Sequence, residues 1–211
     1  MTTACGTLRL LIFTTISALI FVNGCNEKER TPLPCMERAV FGDPSQSAYI
    51  LPYPVGHSYR LMQGYCYPKG GHRNQLAYDF ETPVGTPVIA SRDGEVMKVR
   101  SDLPDDGRQH ESGQHNHIMI RHEDGTVAFY AHLKRGSTLV KIGDNVSQGQ
   151  PIAAGGNSGN TQGLPHLHFG VYESWPPVEG FDVPVNFRNA EGILDRRNGL
   201  RPGGYFKALP Y

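Results

Sequence analysis

The chain has no excess of charge of either sign: among its 211 residues, 20 are lysine or arginine and 20 are aspartate or glutamate. It therefore offers neither the basic surface that binds nucleic acid nor an acidic tail. Long stretches with helical periodicity are also absent, whereas glycine (25 residues) and proline (16 residues) are plentiful. This composition predicts an all-β chain of short antiparallel strands and many turns, long enough to form a single compact domain with its own core.

The pronounced apolar run, residues 10–22, is too short to span a bilayer comfortably but fits the apolar part of a signal peptide. It ends in VNGC (residues 22–25), a small residue followed by cysteine, which resembles the bacterial lipobox. We expect residues 1–24 to be a lipoprotein-type signal peptide and Cys25 to carry lipid that anchors the exported protein to a membrane of the cell envelope. The alternative is ordinary cleavage near Gly24, which would give a secreted or periplasmic soluble protein.

Residues 25–46 are polar and contain several prolines, so we interpret them as a tether in front of a domain at residues 47–211. No Cys-x-x-Cys motif occurs, which argues against a thiolate metal site. In an oxidising compartment Cys35 and Cys66 could form a disulfide, and the alternative is two free thiols.

The stretch GLPHLHFGV (residues 163–171) places two histidines one residue apart. Alternate side chains of a strand point to opposite faces, so the sequence predicts that His166 and His168 share one face. Leu167, Phe169 and Val171 would share the other face, which we expect to lie in the core. Two imidazoles on one strand face suit a metal site, although a solvated pair is the alternative.

The segment HIMIRHEDGTVAFYAHL (residues 117–133) is typical of a β-hairpin. A two-residue turn at Asp124–Gly125 would place His117 opposite His132, and Phe129 on the core face with Ile120. The segment 86–100 has the same character, with a turn at residues 93–94 between two strands. We expect three further histidines to face solvent, namely His122 near the hairpin turn and His110 and His115 in or beside the polar loop 101–114.

A zinc hydrolase site needs three protein ligands, an open position for water and a base. No HExxH motif supplies a glutamate base, so histidine is the available substitute. The segment GGHRNQLAYDF (residues 70–80) contains His72 and Asp79, and His132 follows later in the chain. His57 is the alternative upstream histidine.

With these residues, the sequence resembles the lysostaphin-type zinc metallopeptidases, which cut peptidoglycan cross-links. The matching segments occur in that family's order between roughly residues 70 and 187, and they are HRNQLAYDF, GTPVIASRDGEV, RHEDGTVAFYAHL, GDNVSQGQPIAAGGNSGNTQGLPHLHF and VNF. The resemblance implies the duplicated hybrid motif, a barrel-sandwich fold, with one Zn²⁺ per chain. It also implies peptidoglycan stem peptides or cross-bridges as the substrate.

The resemblance assigns a role to five residues. His72, Asp79 and His168 would bind the metal, while His132 and His166 would activate water and stabilise the oxyanion. The chain departs from the family pattern in one respect, because six residues separate His72 from Asp79 where the family often has three. An odd separation would put the two side chains on opposite faces of a regular strand, so we expect His72 to precede the strand on a loop or bulge.

Two other functions compete with this interpretation. A cupin-type metal barrel would need a later histidine ligand, and no histidine follows His168. A metal-free scaffold that binds a partner and regulates other cell-wall hydrolases would be recognised by lost ligands, whereas all five positions are filled here. The sequence is compatible with cleavage of a D-Ala–diamino acid cross-link and with cleavage of a glycine bridge.

Overall fold

The computed structural model describes residues 30–108 and 113–211. Within these residues the chain is almost entirely β structure, which confirms the predicted fold class. The helical elements are α1 (Cys35–Arg38) and a single 3₁₀ turn at Pro44–Gln46. The strands are β1 (Ser58–Gln63), β2 (Ala77–Phe80), β3 (Pro87–Ile89), β4 (Gly94–Arg100), β5 (His117–Arg121), β6 (Val127–Ala131), β7 (Asn145–Val146), β8 (Pro151–Ala154), β9 (Leu167–Tyr172), β10 (Ala190–Glu191) and β11 (Tyr205–Ala208).

Nine strands form one antiparallel sheet in the order β10-β11-β1-β2-β9-β6-β5-β4-β7, and β3 pairs with β8 in a separate ribbon. The segment 86–100 therefore contains the two predicted strands, but they do not pair with each other. Val88 of β3 lies opposite Ala153 of β8, whereas Val96 of β4 lies opposite Ile120 of β5. The Asp-Gly segment between β3 and β4 carries the chain from one sheet to the other.

The side chains of β9 alternate as the sequence predicts. Leu167, Phe169 and Val171 are fully buried in the main hydrophobic core, and they pack with residues of β2, β5 and β6. Burial of each such side chain contributes roughly 1.5–3 kcal/mol. His168 consequently points to the opposite face of the sheet, where the polar residues described below collect.

The predicted register of the β5–β6 hairpin is wrong by one residue. His117 lies opposite Ala131 rather than His132, because the loop has three residues, 123–125, instead of two. Gly125 adopts a left-handed backbone (φ 85°), and the Asp124 carboxylate accepts hydrogen bonds from both the N–H and the hydroxyl of Thr126. This turn followed by a left-handed glycine is the common three-residue solution, and it moves Phe129 from the core face to the opposite face.

His122 is buried (3 % exposed) rather than exposed to solvent. Its Nδ1 donates to the carbonyl oxygen of Asp93 at 2.7 Å, and its ring meets the edge of Tyr49. The pairing of β4 with β5 brings Asp93 next to His122, at the end of β5 that enters the turn. The sequence of residues 117–133 alone does not reveal this long-range contact.

The folded unit begins at Pro32, earlier than the predicted boundary at residue 47. Cys35 forms a disulfide with Cys66, and Phe41 is buried in the main core. The Arg38 guanidinium also forms an ion pair with Asp182. The predicted signal peptide and Cys25 lie outside the described residues, and none of the described helices has the length and apolar character of a membrane span.

The Cys35–Cys66 disulfide should contribute substantially to stability, because it closes a loop with a sequence separation of 31 residues. On the chain-entropy model we expect replacement of both cysteines by serine to lower the free energy of unfolding by about 3–4 kcal/mol. Urea unfolding of the double variant and of the oxidised wild-type protein measures the difference. A loss below about 1 kcal/mol would show that the packing of residues 32–46 holds this segment without the disulfide.

Candidate metal centre

The polar face of the sheet carries a row of residues that is set by strand pairing. Asp79 of β2 lies directly opposite His168 of β9, and His168 lies opposite Ala131 of β6. Residues paired in this way share a face, so the Asp79 carboxylate and the His168 imidazole meet side by side. The side chain of Ala131 is small, so it leaves room on this face of the sheet for the side chains of Asp79 and His168.

Three donor atoms converge at the centre of this row. The distance from Asp79 Oδ1 is 2.9 Å to His168 Nδ1 and 3.2 Å to His72 Nε2, and the two nitrogens are 3.1 Å apart. The corners of a tetrahedron around a zinc ion are about 3.3 Å apart when the metal–ligand distance is 2.0–2.1 Å. The three atoms are therefore spaced so that one metal ion could bind to all of them.

His72 reaches the cluster from the turn that precedes β2, as expected from its odd separation from Asp79. Its Nδ1 donates to the Gly64 carbonyl at 3.1 Å, which directs Nε2 toward Asp79. The Gln63 side chain accepts a hydrogen bond from the Gly71 N–H at 3.0 Å and so holds the same turn. His57, the alternative upstream histidine, bonds the Tyr59 hydroxyl instead and does not line the cleft.

His132 and His166 lie beside the cluster with their rings 4.5 Å apart. His132 follows the last residue of β6 and has a left-handed backbone (φ 61°). In a regular strand it would share the core face of Tyr130, and the left-handed conformation turns it into the cleft instead. Its Nδ1 donates to the Ser158 carbonyl at 2.7 Å, and the Nδ1 of His166 donates to the Leu164 carbonyl at 2.8 Å. Each ring therefore keeps Nε2 free of backbone partners.

The electrostatics of the site favour an ionised Asp79 carboxylate and neutral rings at His132 and His168, whereas they favour the protonated form of His72. Burial would raise the pKa of Asp79, but the charges and hydrogen bonds of His72 and His168 hold this pKa well below its usual range. Burial lowers the pKa of His168. Burial, followed by the neighbouring His166 and His168, lowers the pKa of His132 to about 3. Burial also acts to lower the pKa of His72, but Asp79 outweighs it and the net shift is upward.

These residues line a cleft of about 660 Å³. His115 also lines it and is half-buried instead of fully exposed to solvent: its ring packs 5.3 Å from His132 and 5.5 Å from Phe129. His115 and His117 repeat the spacing of His166 and His168, and this repeat is the signal in the sequence that could have identified them. His110, the other histidine assigned to the polar loop, lies outside the described residues.

An antiparallel β sheet that carries a histidine–aspartate cluster of this kind in an open cleft is typical of metallopeptidases. The chain belongs to peptidase family M23, whose family model matches residues 73–180. The matched range includes Asp79, His132, His166 and His168, whereas His72 lies one residue before it.

Several proteins with assigned names are similar to this chain. The chain is 36 % identical over 141 residues to peptidoglycan DD-endopeptidase ShyB of Vibrio cholerae, with 63 % of this chain and 30 % of the relative covered. It is 35 % identical over 150 residues to peptidoglycan DD-endopeptidase ShyA of the same organism, with 68 % and 32 % covered. The matched part thus spans about a third of the length of these relatives. A crystal structure of a zinc-containing peptidase from Vibrio cholerae is 32 % identical, covers 65 % of this chain and 41 % of that chain, and has a TM-score of 0.46.

The lowered pKa of His132 predicts that the metal-free protein is less stable in acid. An unfolded histidine binds a proton near its ordinary pKa of 6.5, whereas folded His132 does so only at about 3. Between these values the unfolded state binds more protons, so the free energy of unfolding falls as the pH falls from about 6.5 toward 3. Urea unfolding at several pH values after chelation measures this slope. The slope should be smaller in His132→Gln, and equal slopes would contradict the assignment.

Proposed function

We propose that the protein is a zinc-dependent endopeptidase that hydrolyses peptide cross-links of bacterial peptidoglycan. The observation that carries this proposal is the triangle of donor atoms from His72, Asp79 and His168, with His132 and His166 beside it in the same cleft. Family membership and the peptidoglycan endopeptidases among the relatives support the substrate class.

The chemistry of the donor set fits zinc. Two imidazole nitrogens and one carboxylate oxygen are ligands that Zn²⁺ prefers, and three protein ligands leave a position for water or substrate. His72, Asp79 and His168 would therefore hold one ion per chain. When bound, zinc would polarise the peptide carbonyl and lower the pKa of a water molecule to about 7.

His132 and His166 supply the proton transfers in this proposal. Both rings donate from Nδ1 to backbone carbonyls, so a neutral ring has its lone pair at Nε2 and can accept a proton there. One Nε2 takes the proton of the attacking water. The protonated ring then donates a hydrogen bond from Nε2 to the developing oxyanion and passes the proton to the leaving amine.

The names of the relatives also bear on which bond is cut. A DD-endopeptidase hydrolyses a peptide bond between two D-configured centres, so we propose the D-Ala–diamino acid cross-link as the substrate rather than a glycine bridge. Digestion of purified peptidoglycan of both types, followed by mass spectrometry of the fragments, tests this choice. Cleavage of glycine bridges alone would contradict it.

The two histidines of the HLH motif should fail differently when substituted. His168→Ala removes a ligand, so we expect most of the zinc and the stability that it provides to be lost. His166→Ala should keep nearly one zinc per chain but lose turnover by about 10²–10⁴-fold, the usual scale for a positioned acid–base group. Zinc per protein, measured on both purified variants, separates the two roles.

Equal zinc loss in both variants would mean that His166 is itself a ligand. A wild-type protein that folds and binds no zinc would favour the regulatory scaffold over the enzyme.

We further propose that residues 1–24 form a lipoprotein signal peptide, that lipidated Cys25 anchors the exported protein in the cell envelope, and that residues 25–31 connect this anchor to the folded unit. The disulfide between Cys35 and Cys66 supports export, because such bonds persist in oxidising compartments. In cells, Cys25→Ala should lose its acyl chains and shift from the membrane fraction to the soluble fraction. A Cys25→Ala protein that remains lipidated would refute the assignment.

A further inference from the structure

His115 occupies a position in the cleft to which neither the sequence pattern nor the proposed chemistry assigns a role. Its ring lies 5.3 Å from the ring of His132 and is flanked by His117 at 5.4 Å and Phe129 at 5.5 Å. These three contacts fix the plane of the imidazole, while its remaining edge faces the cleft.

The backbone around His115 is held as firmly as its ring. The next residue, Asn116, is fully buried, and its side chain bonds both the N–H and the carbonyl of Leu103 at 2.9 Å. The Asn116 N–H donates to the Ser158 hydroxyl at 3.0 Å, and the carbonyl of the same Ser158 accepts from His132. The positions of His115 and His132 therefore depend on one shared anchor, so the distance between the two rings is preorganised.

The polar atoms of the His115 ring are not used by the fold. Across residues 30–108 and 113–211, neither ring nitrogen has a hydrogen-bond partner, and only the His115 carbonyl is engaged, by His117 Nδ1 at 3.0 Å. Among the described residues, the group that could hold a metal ion consists of His72, Asp79 and His168, and His115 is not part of it. A neutral imidazole offers one donor and one acceptor, which is the combination that a peptide group can satisfy.

From this geometry we infer that the His115 imidazole binds a peptide group of the substrate next to the scissile bond and holds the cross-link against His132. This inference rests on the proposed endopeptidase function. His115 would act as a substrate-binding residue that takes no part in metal binding, so it should affect kcat/KM and leave the zinc content unchanged.

Two substitutions separate hydrogen bonding from packing. His115→Phe keeps an aromatic ring against His132 and Phe129 but removes both nitrogens, whereas His115→Gln keeps a donor and an acceptor. We expect His115→Phe to lower kcat/KM on a D-Ala–diaminopimelate cross-linked muropeptide dimer by about tenfold, the usual value of one such hydrogen bond, and His115→Gln to retain most of the activity. His57→Phe, the same change at a histidine outside the cleft, is the matched control and should have no effect.

The variants are compared by kcat/KM, zinc per protein and melting temperature, and the metal-free proteins by calorimetric affinity for the intact dimer. Weaker dimer binding by His115→Phe at unchanged zinc content supports the inference. Wild-type kcat/KM in His115→Phe would show that the ring only packs, and zinc loss would place the ring in the metal site. Either result would overturn the inference about His115 and leave the proposed function standing. An unaltered protein that neither cleaves nor binds the dimer would overturn the proposed function, and the inference about His115 with it.

Discussion

The structure of the cleft depends on a buried carboxylate that is surrounded by imidazole nitrogens. Asp79 is 3 % exposed, and a carboxylate removed from water in this way is costly unless partners surround it. Its Oδ1 has three imidazole nitrogens nearby, those of His168 at 2.9 Å, His72 at 3.2 Å and His166 at 3.8 Å. The turn before β2, the register of β2 with β9 and the entry into β9 must all form correctly to bring these groups together.

The sheet separates this polar cluster from the apolar core. Residues of β9 alternate between the two, so Phe169 packs in the core while His168 faces Asp79. A slip of one residue between β2 and β9 would expose the core side chains and bury the histidines without partners. The same hydrophobic packing that stabilises the fold thus fixes the register on which the donor triangle depends.

The left-handed backbone of His132 is the second local requirement of the site. A residue with a side chain adopts this conformation at a cost of roughly 1–3 kcal/mol, and such conformations cluster at functional sites. Here the conformation turns the imidazole out of the core face, and the hydrogen bond from Nδ1 to the Ser158 carbonyl holds it there. The cleft therefore includes a histidine that regular strand geometry would have directed elsewhere.

The sequence by itself determined the β class and the two faces of β9, because side-chain alternation is a local property of the chain. The order of its motifs also singled out five polar residues that the fold brings to one cleft. The sequence also predicted that His72 precedes its strand, since an odd separation cannot place two side chains on one face. The tertiary structure decided the register of β5 with β6, the burial of His122 and the inclusion of residues 32–46 in the folded unit. It also brought His115 to His132, through the contact between Asn116 and Ser158, 42 residues further along the chain. These features depend on a three-residue turn and on contacts between distant segments, and the alternation of side chains along a single strand does not encode them.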